Sequence, residues 1–204
     1  MSDGAGATGA ASLLAALRGL HEERQRTFIA EWQRALSFGD EIVDRWEKAA
    51  SLGFGEGASI YDSAAVYGDV KVGARTWIGP FTILDGSGGL AIGENCSISA
   101  GVQIYTHDSV KWALSGGRVE YERAPVKIGS HTYIGPMTIV TRGVTIGERC
   151  LIGANSIVNK DLPDGSIAYG STCAVVGRVD VSSEGTVTLH YNEDEGKRAG
   201  FRID

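Results

Sequence analysis

Aliphatic residues recur every six positions over most of the chain, and this spacing dominates its hydrophobic pattern. The residue after the aliphatic one is often glycine, and a small or β-branched residue stands two positions before the next aliphatic one. Neither a helical period of about 3.6 nor a strand period of about 2 gives this pattern. A hexapeptide period is typical of β-solenoids. The aliphatic positions are Val66, Val72, Ile78, Leu84, Ile92, Ile98, Ile104, Ile128, Ile134, Val140, Ile146, Ile152 and Val158.

Each six-residue unit predicts one short strand and one turn, and three units predict one triangular coil. The separation between Ile128 and Ile146 equals one such coil. We expect the aliphatic side chains to point inward and stack, with Cys96 and Cys150 packed among them. The 29 glycines among the 204 residues are expected in turns, where a positive φ is needed, and the period continues through them. The sequence therefore predicts a mainly β solenoid rather than a disordered chain.

Before the repeat, the pattern is helical. From Ser12 to about Phe38, apolar residues follow mostly at intervals of three or four. Asp40 is a candidate N-cap for a second helix that runs from Glu41 to about Leu52. The predicted organisation is a disordered start (1–10), a helical N-terminal cap (11–55), the solenoid (56–178) and a C-terminal extension (179–204).

Two stretches interrupt the repeat. A glycine-rich turn is expected at residues 85–89, and a long loop covers residues 108–125, directly after His107. Long loops that leave a rigid scaffold usually carry function. Past the solenoid, residues 174–190 alternate and predict strands, with a hairpin at Glu184-Gly185, and residues 192–204 are charged and expected to be mobile.

The composition excludes several classes of protein. The net charge is −6 and no run of Lys or Arg occurs, which argues against binding to nucleic acid or an anionic membrane. No apolar stretch approaches the ~20 residues of a membrane span, and the first residues lack the basic segment of a signal peptide. Three cysteines argue against a disulfide framework, so we expect a cytoplasmic protein.

The repeat aliphatic-Gly-x-x-small-x over residues 60–178, with the closing segment 158–163 (Val-Asn-Lys-Asp-Leu-Pro), resembles the hexapeptide acyltransferases. The similarity is best to the galactoside, maltose and capsule-sugar O-acetyltransferases. The resemblance implies a left-handed parallel β-helix, a homotrimer with active sites between subunits, and acetyl-coenzyme A as cosubstrate without a metal. Thr172 replaces a proline of the family. Residues 78–81 replace an Asn-Phe-Asn stretch, so free maltose or a galactoside is not the expected acceptor.

His107 is the candidate general base, because Thr106-His107-Asp108 matches the position of the catalytic histidine in the family. A histidine with a pKa near neutrality can accept the proton of an attacking hydroxyl or amine. Its orienting partner stays open between Asp85, Asp108 and a backbone carbonyl. Backbone N–H groups near residues 133–135 are expected to stabilise the oxyanion.

Two further sets of residues follow from the resemblance and from side-chain chemistry. Trp112 and Tyr121 can stack on a sugar, although Trp112 can equally lock the loop onto the next subunit. Arg118 can bind hydroxyls or phosphates. The matching donor-binding positions are Tyr133, Pro136, Ala154, Asn159, Lys160 and Arg178. The acceptor-binding candidates are Asp85, Asp108, Trp112, Arg118 and Tyr121.

The leading hypothesis is a coenzyme A-dependent O-acetyltransferase that acts on a sugar or a polysaccharide precursor. One alternative is N-acetylation of a nucleotide-linked amino sugar, and another is a non-catalytic β-helix that serves as an assembly module. A γ-class carbonic anhydrase is excluded, because its zinc needs three histidines and the solenoid contains only His107 and His131.

Overall fold

The computed structural model describes residues 4–192, with side chains from residue 9 onward. The chain divides into two compact units between residues 44 and 45. The first unit holds α1 (Gly4–Trp32) and α2 (Phe38–Ile42). Helix α1 thus begins inside the stretch expected to be disordered and ends before Phe38. The charged tail from residue 193 onward lies outside the described residues.

The second predicted helix is divided into two. Its first part, α2, is preceded by Ser37 as N-cap rather than by Asp40, and its second part is α3 (Arg45–Ser51). Val43 between them is extended, with φ −90° and ψ 120°. A β-branched residue loses side-chain freedom in a helix, so this position is a weak point at which the helix ends.

The second unit is a parallel β-solenoid, as predicted. Its coils build three faces in succession around each turn. The elements are β1 (Ser59–Ile60), β2 (Ala65–Val72), β3 (Trp77–Ile78), β4 (Ile83–Ile92), β5 (Ser97–Ile98), β6 (Gln103–Ile104), β7 (His107–Asp108), α4 (Val110–Leu114), β8 (Glu122–Arg123), β9 (Val126–Ile128), β10 (Tyr133–Ile134), β11 (Ile139–Val140), β12 (Thr145–Ile146), β13 (Leu151–Ile152), β14 (Ile157–Val158), β15 (Ser166–Tyr169), β16 (Ala174–Val181) and β17 (Val187–Tyr191).

Strands of equivalent position stack in register. The first face has the order β1-β3-β5-β10-β13-β15. The second face consists of β6, β11 and β14 together with the first halves of β2 and β4. The third face consists of β9 and β12 together with the second halves of β2 and β4. Ile134 pairs with Ile98 on one side and with Ile152 on the other, so each aliphatic residue lies above its counterpart.

The core is the column of repeat residues that this register creates. Ile60, Ile78, Ile98, Ile134 and Ile152 are completely buried on the first face. Burying one such side chain stabilises the fold by roughly 1.5–3 kcal/mol. The small positions are inside as predicted, and their hydroxyls bond to carbonyls of the neighbouring coil. These bonds run from Thr76 to Gly93 (2.8 Å), from Thr132 to Gly147 (3.0 Å) and from Thr138 to Gly153 (3.0 Å).

The glycines after the aliphatic residues serve a different purpose from the predicted one. Gly135 does not have a positive φ. A Cβ on it would lie 2.5 Å from the backbone nitrogen of Ala154 in the next coil. These glycines therefore allow the coils to stack closely. The positive φ values occur two positions later, at residues with side chains such as Arg75, Asn95 and Asn155.

Both ends of the solenoid are covered by other elements. Helix α3 packs against β1, and Ala49 of α3 belongs to the core. At the other end, the hairpin β16–β17 pairs antiparallel with β15. The hairpin turn predicted at Glu184-Gly185 is confirmed, with Gly185 at φ +85°. Residues 85–89 are an extended part of β4 rather than a turn. None of the helices in the described part of the chain could cross a membrane.

Candidate active site

His107 stands where the solenoid backbone leaves its regular path. In the regular coils the third residue after the aliphatic one has a positive φ, as at Gly143 after Val140. His107 has this position relative to Ile104, but it begins β7 instead. Strand β7 pairs antiparallel with β8, so the two ends of the loop at 108–125 are fixed side by side on the solenoid.

Asp85 orients His107. Its Oδ2 atom lies 2.6 Å from Nδ1 of the imidazole, and the Asp85 side chain is only 3% exposed. Oδ2 also accepts the Thr106 N–H at 2.9 Å, while Oδ1 accepts the Ser87 N–H at 2.9 Å and the Ser87 hydroxyl at 2.5 Å. Burial alone would raise the pKa of Asp85, but the bonds from Ser87, Thr106 and His107 outweigh it and lower the pKa well below its ordinary value.

The sequence did not decide which residue orients His107, and in the structure the residue bonded to its Nδ1 is Asp85. Its carboxylate oxygens are already occupied by donors of the chain itself. Its assignment as an acceptor-binding residue stays a prediction, and orientation of His107 accounts for its burial and its contacts.

The second imidazole nitrogen is available for chemistry. The His107 side chain is 33% exposed, and Nε2 has no hydrogen-bond partner among the described residues. Tyr121 from the loop stacks on the ring at 6.0 Å between centroids, with 18° between the planes. Trp112 meets Tyr121 edge-on at 5.4 Å. The two aromatic residues thus form a wall beside His107.

Arg142, which the sequence reading missed, fastens the loop. Its Nε donates to Oδ2 of Asp108, and its Nη2 donates to Oε2 of Glu122 at 2.9 Å. Lys111 joins the other oxygen of Glu122 at 2.7 Å. The hydrogen bond from Arg142 lowers the pKa of Asp108. The repeat register could have identified Arg142, because Val140 pairs with Ile104 and Arg142 therefore lies beside Thr106.

The structure also places two other arginines in or beside the loop. Arg118 donates through Nε to the carbonyl of Ser115 at 2.7 Å, within the loop itself. Arg123 is directly opposite His107 in the β7–β8 pair, and residues opposite each other in an antiparallel pair project to the same face. Arg123 is exposed, so it brings a positive charge to the side of His107.

A second candidate region is a cavity of about 390 Å³ on the first face. It brings together three predicted donor-binding residues, Tyr133, Pro136 and Ala154. The other lining residues are Leu151, Gly153, Ile167, Tyr169 and Tyr191.

The other predicted donor-binding residues lie outside this cavity. Asn159 and Lys160 are exposed after β14, and Arg178 is bonded to Asp180 at 2.8 Å. The expectation of an oxyanion site at residues 133–135 is wrong for two amides. The N–H groups of Tyr133 and Gly135 already donate to carbonyls of the next coil, at 2.9 and 2.8 Å.

One chain does not bring His107 and the cavity together. His107 follows the second face, whereas Tyr133 and Pro136 lie on the first face and at the corner before the second. The second face therefore separates them within a chain.

Family models match both halves of the solenoid. Residues 125–160 match the bacterial transferase hexapeptide (six repeats), and residues 69–106 match the hexapeptide repeat of succinyl-transferase. A relative from Staphylococcus aureus is 51% identical over 61 residues, which cover 29% of this chain and 31% of the relative. The chain thus spans about a third of the length of that curated relative. The galactoside O-acetyltransferase of Escherichia coli is 27% identical over 129 residues, covering 53% of this chain and 64% of that protein.

Solved structures share the fold. A maltose O-acetyltransferase from Clostridium difficile superposes with a TM-score of 0.52 at 27% identity, covering 82% of this chain and 89% of that one. AntD, an N-acyltransferase from Bacillus cereus in complex with dTDP and coenzyme A, gives a TM-score of 0.54 at 19% identity, covering 75% and 92%. The second similarity concerns the fold alone.

Proposed function

Since the chain belongs to the family of hexapeptide-repeat transferases, we propose that it transfers an acetyl group from acetyl-coenzyme A to a hydroxyl of a sugar or polysaccharide precursor. The observation that carries this proposal is the pair of Asp85 and His107 beside an aromatic loop. A buried, ionised carboxylate at Nδ1 holds the proton there and leaves the lone pair of Nε2 as a base.

The reaction follows from this geometry. Nε2 of His107 accepts the proton of the acceptor hydroxyl while the hydroxyl oxygen forms a bond to the thioester carbonyl carbon. The carbon–sulfur bond then breaks, and the sulfur leaves as a thiolate that receives the proton from His107. Asp85 stabilises the imidazolium formed between the two proton transfers. Because the lone pair of Nε2 lies in the ring plane, the acceptor hydroxyl approaches near that plane, with Tyr121 stacked on one ring face.

The cavity on the first face suits the uncharged arm of the donor. It is lined by aliphatic and aromatic side chains, and Gly153 and Ala154 leave room for close approach to the backbone. Lys160, exposed after the last regular coil, is the proposed ligand of a donor phosphate. The proposed location is the cytoplasm, where thiols stay reduced, and the three cysteines are free.

The separation of base and cavity supports the proposed homotrimer, in which one subunit supplies His107 and its neighbour the donor cavity. The outward side of the second face and its adjoining corner is apolar except for Gln103, whereas the third face is mostly polar. Exposed apolar surface of this kind marks a protein interface. The apolar positions are Phe81, Ile83, Met137, Ile139 and Ile157, and the polar ones are Lys71, Lys127 and Thr145.

N-acetylation of a nucleotide-linked amino sugar is the second candidate, and Arg123 favours it. A guanidinium on the same face as His107 can bind an acceptor phosphate. The same base serves an amine as well as a hydroxyl, so the acceptor decides between the two reactions.

The test is release of coenzyme A thiol from acetyl-coenzyme A in the presence of neutral sugars, oligosaccharides, nucleotide sugars and nucleotide-linked amino sugars. We expect acceptor-dependent release by the wild type and its loss in His107→Ala. His131→Ala is the matched control, because His131 is an exposed turn histidine of the same solenoid. If the wild type prefers an amino sugar and Arg123→Ala loses this preference, the acceptor group is an amine rather than a hydroxyl. No release with any acceptor and no binding of coenzyme A would support the assembly module instead.

A further inference from the structure

The donor cavity is completed by a residue outside the hexapeptide repeats. Five residues lie side by side across the last strands of the first face. Tyr133 pairs with Leu151, and Leu151 pairs with Ile167. The row then continues into the C-terminal hairpin, where Ile167 pairs with Gly177 and Gly177 with Tyr191.

This row gives the cavity its length. Neighbouring strands are ~4.8 Å apart, so the four steps from Tyr133 to Tyr191 span roughly 19 Å. Leu151 and Ile167 form the floor between the two tyrosines. Gly177 contributes no side chain to the row, and strand β17 approaches it so closely that a Cβ would lie 2.1 Å from the carbonyl oxygen of His190. The groove is therefore bounded by an aromatic ring at each end.

The lining defines what the groove can hold. None of the described residues that line it is charged, and the side-chain polar atoms among them are the hydroxyls of Tyr133, Tyr169 and Tyr191. Within the described part of the chain, this lining offers no cation to a nucleotide phosphate. An elongated, uncharged chain with a few polar groups fits the aliphatic floor and the tyrosine ends.

We propose that Tyr191 is a donor-binding residue and that the C-terminal hairpin is part of the donor site, with Tyr191 in contact with the pantetheine arm. This inference rests on the proposed function, because it takes coenzyme A as the donor. It assigns a binding role to a segment beyond the last matched repeat, which ends at residue 160. The hairpin thereby sets the affinity for the donor, while His107 on the neighbouring subunit sets the rate of the chemical step.

Calorimetry on the full chain tests the proposal with coenzyme A and, separately, with pantetheine. We expect Tyr191→Ala to weaken both ligands by roughly tenfold, because the ring contact is lost. Tyr191→Phe keeps the ring and is expected to bind within about twofold of the wild type. Val187→Ala is the matched control, since Val187 lies on the same strand, is 60% exposed and does not line the groove. In activity assays Tyr191→Ala raises KM for the donor and leaves kcat unchanged.

Equal binding by Tyr191→Ala and Val187→Ala overturns the proposal, and so does a loss confined to coenzyme A, which would place Tyr191 at the nucleotide. If Tyr191→Ala fails to fold, Tyr191→Trp decides. Its fluorescence, relative to the wild type, must change on addition of coenzyme A, and no change refutes the contact. Wild-type protein that does not bind coenzyme A would defeat the proposed function itself. If the wild type binds coenzyme A and the Tyr191 variants bind it equally well, only this inference is refuted.

Discussion

Replacing Asp85 by Asn tests the base directly, because the change removes the charge and keeps the size. The two carboxylate oxygens of Asp85 face different donors. Oδ2 meets the Thr106 N–H and His107, and Oδ1 meets Ser87. An amide has only one oxygen, so each of its two orientations sets an NH₂ group against a backbone N–H.

The two orientations have different chemical consequences. With the amide nitrogen at the Oδ2 position, His107 can bond to it only through an unprotonated Nδ1. The proton then resides on Nε2, which can no longer act as a base. With the oxygen at Oδ2, the tautomer is kept, but the imidazolium loses its counter-charge and the Ser87 N–H loses its acceptor. Leaving such a buried donor unpaired costs roughly 1–3 kcal/mol of stability.

We therefore expect Asp85→Asn to lower kcat by roughly 10²- to 10⁴-fold, the usual contribution of general acid–base catalysis. KM for the donor should stay within about threefold of the wild type, because Asp85 is remote in the coil from the donor cavity. The assay is the thiol-release assay over a range of pH, with urea unfolding to confirm the fold. Asp69→Asn is the control, since Asp69 is an exposed carboxylate on β2. A variant that keeps a third of the wild-type kcat with an unchanged pH profile would refute the reasoning.

Three further predictions follow. Because the folded pKa of Asp85 lies below its unfolded value, the stability that this carboxylate gives to the fold is present above about pH 4 and is lost as the pH falls. Urea titrations at several pH values should therefore show a weaker dependence of stability on acid in Asp85→Asn. Arg142→Ala releases Asp108 and Glu122 and should lower kcat/KM for the acceptor roughly 10- to 100-fold, with donor binding by calorimetry unchanged and partial rescue in Arg142→Lys. Gly135→Ala forces a clash with the next coil, whereas Gly116→Ala meets no neighbouring atom. The first should therefore lower Tm by several degrees more than the second, although Gly116 itself has a positive φ.

The solenoid was predictable because each repeat position obeys one constraint at a time. An aliphatic residue such as Ile134 has to be inside, and its period alone gives the stacking register. The reason for the glycines was less accessible. A sequence shows that Gly135 is small, but only the stacked coils show that its neighbour is the Ala154 backbone rather than a tight turn.

The site was predictable where it followed the repeat, and it was harder to predict where it depended on contacts between coils. His107 was identified by the interruption of the period together with the resemblance of Thr106-His107-Asp108 to the catalytic position of the family. Asp85, Arg142 and Tyr191 depend on which residues the register brings together, and all three stand more than 20 residues away from His107 in sequence. If the loop at 108–125 is left out of the count, Arg142 lies one coil of 18 residues after Thr106. This count would have placed the two residues side by side.

The two ends of the solenoid decide whether the protein stays a discrete particle. A stack of parallel coils exposes unpaired N–H and C=O groups at its last strand, and another solenoid could continue the stack there. Helix α3 covers β1 at one end, and β16 reverses the strand direction at the other. An antiparallel edge does not match the first strand of another solenoid, so end-to-end growth is blocked. Removal of the hairpin would thus expose the edge of β15, whereas helix α3 would still protect β1 at the other end.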